Sequence, residues 1–143
     1  MPLPRAMAVP LEYILNHDLI GLIKSDKSNL RKLKSLVDEA TKLSLQLDTA
    51  SLRYEASRKI NRCMDKIKNS PDDIKTLELV DGTVETLLTL TSDLDLQHAQ
   101  NILFALSRQM YPDKVKKTES GDKSAKKWID TISRLAQHLG VKI

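Results

Sequence analysis

Apolar residues recur along this chain at steps of three and four, the period of an α-helix, and short polar breaks separate the runs. The first run sets Leu11, Ile14, Leu15, Leu19, Leu22 and Ile23 on one face. Pro10, with its fixed φ, suits the first turn of that helix, so residues 2–9 are expected as a short turn or surface segment ahead of it. A polar break at Lys24–Lys27 follows, and Ser28 can cap a second helix whose stripe reads Leu30, Leu33, Leu36, Val37, Ala40, Leu43 and Leu47. Asp48 or Thr49 caps a third. There Leu52, Ala56, Ile60, Cys63, Met64 and Ile67 share a face, with Arg53, Arg58, Lys59, Arg62 and Lys66 mostly on the others.

Ser70-Pro71-Asp72-Asp73 predicts the start of a fourth helix, with Ser70 as cap, Pro71 in the first turn and two acids near the positive helix end. Ile74, Leu77, Val80, Val84, Leu87 and Leu88 continue it. Asp93 or Asp95 caps a fifth, with Ala99, Ile102, Leu103 and Leu106 inside. That helix is expected to end near Met110, because Pro112 cannot donate to the helical ladder. Residues 111–123 then read as a mobile, lysine-rich loop. A last helix, from about Ser124 to Leu139, sets Trp128, Ile129, Ile132, Leu135, Ala136 and Leu139 on one face, and Gly140 is its natural stop.

The pattern predicts an all-α fold of about six helices packed as antiparallel αα-hairpins, either a helical bundle or a short solenoid-like array. The solenoid variant draws on the match of the second and fourth helices at an offset of 44, Leu30, Leu33, Leu36, Ala40 and Leu43 falling on Ile74, Leu77, Val80, Val84 and Leu87. Composition agrees: only 3% aromatic residues and 4 glycines are too few for a sheet-rich domain. The length of 143 residues fits a single helical domain over 1–143.

Charge narrows the partners. The net charge is +4, and much of it lies between Asp113 and Lys127, where six lysines face Asp113, Glu119 and Asp122. No aromatic residue is interleaved for base stacking except Trp128, which belongs to an apolar face, so nucleic acid is not expected as the ligand. No apolar run is long enough to span a membrane. The lone Cys63 excludes an internal disulfide and, with an N-terminus too polar for a signal peptide, points to the cytoplasm.

Catalytic patterns do not emerge. His17, His98 and His138 lie on separate helices without a second ligand at metal-binding spacing, and Cys63 sits on an apolar face where core packing suits it better than nucleophilic attack. Neither a phosphate loop nor a nucleophile elbow is present. The expectation is therefore no catalytic residue, no metal and no cofactor. Polar residues beside apolar stripes draw more interest as a partner-facing edge: Asn16, Arg58, Gln100 and Asn101. Aromatic platforms for sugar are limited to Tyr13, Tyr54 and Tyr111.

Several of these segments also occur in a familiar order. Leu3-Pro4 precedes Tyr13-Ile14-Leu15-Asn16 and Asp18-Leu19. Leu47-Asp48 is followed by Ala56-Ser57-Arg58, then by the Ser70 helix start. Leu94-Asp95 comes with Ala99-Gln100-Asn101, and Trp128 with Leu139-Gly140-Val141 closes the series. In this order and spacing the chain resembles the C-terminal helical region, domain of unknown function 3536, of proteins whose N-terminal part is a glycoside hydrolase family 57 domain. The lysine-rich stretch between Met110 and Trp128 departs from that pattern. The resemblance implies a non-catalytic accessory domain that packs on or extends a catalytic barrel acting on α-glucans, with that barrel in the same polypeptide. The alternative is a free-standing helical protein-interaction module, and either can self-associate.

Overall fold

The structure, a computed structural model, describes residues 5–25, 30–45, 47, 49–91 and 94–142. It is all-α: six helices, and no strand among the described residues. They are α1 (Arg5–Lys24), α2 (Leu30–Lys42), α3 (Thr49–Asn69), α4 (Ile74–Leu90), α5 (Gln97–Glu119) and α6 (Lys123–Leu139). The expected caps Ser28, Asp48 and Asp93 lie outside the described residues, as do Leu3 and Pro4. The helices divide into two compact units, Met1–Lys59 with Thr86–Leu94, and Ile60–Glu85 with Asp95–Ile143.

In the first unit, Leu15, Leu19 and Ile23 of α1 are buried, as are Leu33, Val37 and Ala40 of α2, Leu52 and Ala56 of α3, and Leu87 of α4. Burying side chains of this size is the main favourable term for such a unit, about 1.5–3 kcal/mol for each large aliphatic. The end of α1 is fixed by α3: Lys59 Nζ donates to the carbonyl oxygen of Ser25 at 2.7 Å, although Lys59 is only 8% exposed. A cation there suits the negative end of the helix dipole. At the end of α2, Ser44 takes a left-handed φ of +52°, and Leu45 N donates to Ala40 O at 3.1 Å, closing the helix as glycine commonly does.

Two expectations for α1 are corrected. The helix starts at Arg5, ahead of Pro10, which lies inside it. The proline ring deprives the Ala6 carbonyl of its helical partner, but both residues are exposed, where solvation makes this a small cost. Ile14, expected on the packed face, is 52% exposed and lies in a stretch with exposed Met7, Val9 and Tyr13.

The second unit holds the remainder of α3 and α4 with all of α5 and α6. Its core contains Ile60, Met64 and Ile67, then Leu77, Val80 and Val84, then Leu103, Trp128, Ile132 and Leu135. Cys63 is buried with them. Gln100, near the start of α5, donates from Nε2 to the carbonyl oxygen of Leu139 at the end of α6 at 2.7 Å, so these helices are antiparallel. Asp65 meets His98 and Asp72 meets Lys114, so α3 and α5 run in the same sense. Pro71 meets Trp128 and Asp81 meets His138, so α4 and α6 do too. The result is an up-down-up-down arrangement.

The α3–α4 turn also differs from expectation. Ser70 closes α3, its N–H donating to Lys66 O at 3.0 Å, and Pro71 and Asp72 form the turn. Asp73 is the residue that caps α4, accepting from the N–H groups of Lys75 at 3.1 Å and Thr76 at 3.4 Å and from the Thr76 hydroxyl at 2.8 Å. Its carboxyl is held below the usual aspartate range, chiefly by the Thr76 hydroxyl and then by the Thr76 N–H.

The expected end of α5 near Met110 and the loop over 111–123 are likewise corrected. The helix runs through Pro112 to Glu119, and only 120–122 form the turn. Tertiary contacts override the proline break: Lys114 pairs with Asp72, and its ammonium lies 5.5 Å above the Trp128 ring. Asp122 then caps α6, accepting from Ser124 N at 2.9 Å and Ala125 N at 3.2 Å, and Gly140 ends it in the left-handed conformation at φ +74°. No helix among the described residues is long and apolar enough to cross a membrane.

Candidate functional site

Within the second unit, a groove of about 480 Å³ lies between α5 and the end of α3 with the turn that follows it. Lys68 and Pro71 line one wall, and α5 supplies the other from His98 to Met110. The apolar stripe of α5 is wider than one core face needs. Ala99, Leu103 and Leu106 turn inward and are buried, while Ile102 and Met110 are half-buried and Ala105 is exposed in the groove. His98 Nε2 lies 3.2 Å from Asp65 Oδ1 at one end. Asn101 lines the rim and accepts at Oδ1 from Gln97 Nε2 at 3.0 Å. Beyond this edge, Phe104 is 47% exposed with the Arg108 guanidinium 5.5 Å above its ring.

The residues proposed from sequence as a partner edge have different surroundings. Asn101 is exposed at the groove. Gln100, its neighbour, is half-buried and ties α5 to the end of α6. Asn16 is half-buried on α1, and Arg58 is exposed on α3 with its guanidinium 5.6 Å above the Tyr54 ring; both belong to the first unit, whereas Gln100 and Asn101 belong to the second. That unit has its own hollow of about 420 Å³ between α1 and α3, where Lys24 and Glu55 stand 3.9 Å apart.

Two histidines have acidic partners remote in sequence, which helical spacing cannot reveal. Besides His98 with Asp65, His138 Nδ1 donates to Asp81 Oδ1 at 2.8 Å, and Arg134 Nε lies 3.7 Å from Asp81 Oδ2. Asp81 is only 7% exposed. The trio joins α4 to α6, with Arg134 supplying a counter-charge and His138 a hydrogen bond to the buried carboxylate. His17 is exposed on α1. Among the described residues, no group of three or more His, Cys, Asp or Glu side chains is placed to hold a metal ion.

The lysine cluster is partly neutralised within the chain: Lys114 pairs with Asp72, Lys117 with Asp113 at 3.5 Å and Lys127 with Glu78 at 3.2 Å. The α3–α5 groove itself escaped sequence reading because Ile102 and Leu106 carry the same period as the core; the signal that marks it is the extra width of the stripe, with Ala105 and Met110 outside the main face. Comparison with family models, with curated proteins and with solved structures gave no match to this chain.

Proposed function

We propose that this chain is a non-catalytic helical module that works by docking to another protein domain, with the α3–α5 groove as its docking surface. The observation that carries this reading is the groove, a trough of about 480 Å³ whose floor is aliphatic and whose rim is polar. Docking surfaces combine these two features, an apolar centre that gains from leaving water and a polar border that sets register. The exposed Met7, Val9, Tyr13 and Ile14 of α1 add a second stretch of apolar surface, in the first unit, of the kind that interaction modules present.

The sequence resemblance suggests the partner: a glycoside hydrolase family 57 catalytic domain, this chain being its accessory domain. Without that partner the module is free-standing. The deciding experiment labels the methionine methyl groups of the full chain and titrates in a family 57 catalytic domain. A shift of the Met110 methyl resonance, in the groove, is expected, with buried Met64 as internal control. A catalytic domain that leaves Met110 unmoved removes the accessory-domain reading. Hydrolysis of maltoheptaose by the chain alone, above the buffer blank, overturns the non-catalytic reading.

A further inference from the structure

A surface helix ordinarily carries charge on the side opposite its packed face. The outer side of α1, in the first unit, does not. Between Ala6 and Gly21 its described exposed residues include one acid, Asp18, and no Lys or Arg. Met7, Ile14 and Gly21 are all exposed and stand seven residues apart, so they form one line along the helix, with Pro10 and His17 between them. Seven is the spacing at which a second helix lying alongside meets the first again and again. Gly21 adds an independent observation. Glycine is the poorest helix former after proline, yet a Cβ at Gly21 would meet no atom within 4 Å, so the packing of α1 in its own unit does not call for it. It leaves a notch on the outer face.

The line matches itself in reverse. Ile14 is midway between Met7, a long flexible side chain, and the Gly21 notch. Two copies of α1 packed antiparallel about a two-fold axis at Ile14 set Met7 of each into the notch of the other, the self-complementarity that a two-fold interface requires. The two Asp18 side chains then stand about 12 Å apart along the pair, so no like charges are opposed. Met7, Val9, Tyr13 and Ile14 are between 50% and 75% exposed and leave on the order of 500 Å² in water. Two copies bring this to about 1,000 Å², the lower bound for a specific interface. A charged protein face would bury its charges here without partners, and a lipid surface would find no Lys or Arg in the stretch to meet its headgroups. We infer that the outer face of α1 binds a second copy of this chain, as an antiparallel helix pair centred on Ile14 with Met7 seated at Gly21.

The test is sedimentation equilibrium of the full chain, which should show monomer and dimer exchanging at concentrations on the order of 100 μM, as the small area implies. Ile14→Glu, at an exposed position, should raise the dissociation constant at least about tenfold with the circular dichroism unchanged. Gly21→Leu favours the helix but closes the notch, so it should weaken the dimer as much while raising the melting temperature. Ala105→Trp, in the groove of the second unit, should leave the dimer intact. Cross-linking reads the direction of the pair. The chain's one cysteine, Cys63, is buried. On oxidation Ile14→Cys should couple to its own copy, whereas Met7→Cys, about 21 Å from its own copy along the pair, should not. Equal coupling of both variants overturns the antiparallel pairing. A chain that stays monomeric up to about 1 mM overturns the second copy, as does a dimer that Ala105→Trp abolishes and Ile14→Glu leaves intact. A monomer that cosediments with phosphatidylcholine vesicles, and that Ile14→Glu releases from them, overturns it in favour of a lipid surface.

Discussion

The indole N–H of Trp128 donates to the carbonyl oxygen of Pro71 at 2.7 Å. Residues 57 apart in sequence thereby join the start of α6 to the α3–α4 turn, and the ring is fully buried. Trp128→Phe keeps most of the ring but leaves that carbonyl without its donor. It should cost about 2 kcal/mol, read from urea unfolding followed by circular dichroism. Lys114→Met loses the pair with exposed Asp72 and the ammonium's contact with the face of the Trp128 ring. It should cost less than about 1 kcal/mol. Equal losses would contradict this ranking.

Gln100 and Asn101 are adjacent yet separable. Gln100→Ala removes the bond to Leu139 O and should lower stability by about 1 kcal/mol. Asn101→Ala removes an exposed bond with Gln97 and should leave stability within about 0.5 kcal/mol while changing the affinity of a domain that docks at the groove. Thermal melts of the two single variants, beside the binding titration, check both halves.

Ser44 holds a left-handed φ of +52°, a conformation that crowds any Cβ. Ser44→Gly should raise stability by about 0.5–1 kcal/mol, because the substitution relieves Cβ crowding at the end of α2. The opposite holds at Gly140, φ +74°, where an added Cβ meets only Gln100 Nε2 at 3.9 Å. Space is available there, so the roughly 1 kcal/mol loss expected for Gly140→Ala comes from the backbone. Chemical denaturation of both variants measures the two signs.

The Asp73 carboxyl is held low by the Thr76 hydroxyl, then by the Thr76 N–H, and partial desolvation opposes this. A folded value below the unfolded one means that ionised Asp73 supports the fold above about pH 4, and that this support is lost as acid takes the pH down through the folded value. Carbon-detected titration should find the Asp73 midpoint below that of the unfolded chain. Thr76→Val, which keeps the N–H and removes the hydroxyl, should move it upward. An unmoved midpoint would remove the hydroxyl as the leading cause.

How much of this was legible in the sequence varies by helix. On α3 every residue of the stripe is buried, Leu52 and Ala56 in the first unit and Ile60, Cys63, Met64 and Ile67 in the second, and on α6 the stripe marked Trp128, Ile132, Leu135, Ala136 and Leu139 but also Ile129, which is half-buried. Gly140 was legible because a left-handed stop strongly favours glycine. Proline misled at both sites. At Pro10 and Pro112 the lost donor costs little on an exposed helix side, and at Pro112 the contacts of Lys114 with Asp72 and Trp128, more than forty and about fourteen residues away along the chain, outweigh it. The Ser70 start was misread because Asp73 competes for the same cap with a side chain that reaches two N–H groups. The groove was not legible, since the period of Ile102 does not tell core from cleft.

Trp128 is the chain's single tryptophan, and it belongs to the second unit. Its emission is therefore a spectroscopic window on α6 and its neighbours alone. The first unit carries only tyrosines, Tyr13 and Tyr54, both well exposed, so its melting is nearly silent at tryptophan wavelengths. Circular dichroism, by contrast, weighs every helix alike. A fluorescence midpoint displaced from the dichroic one would mean that the units come apart in separate steps, and coincident midpoints would mean a single cooperative transition.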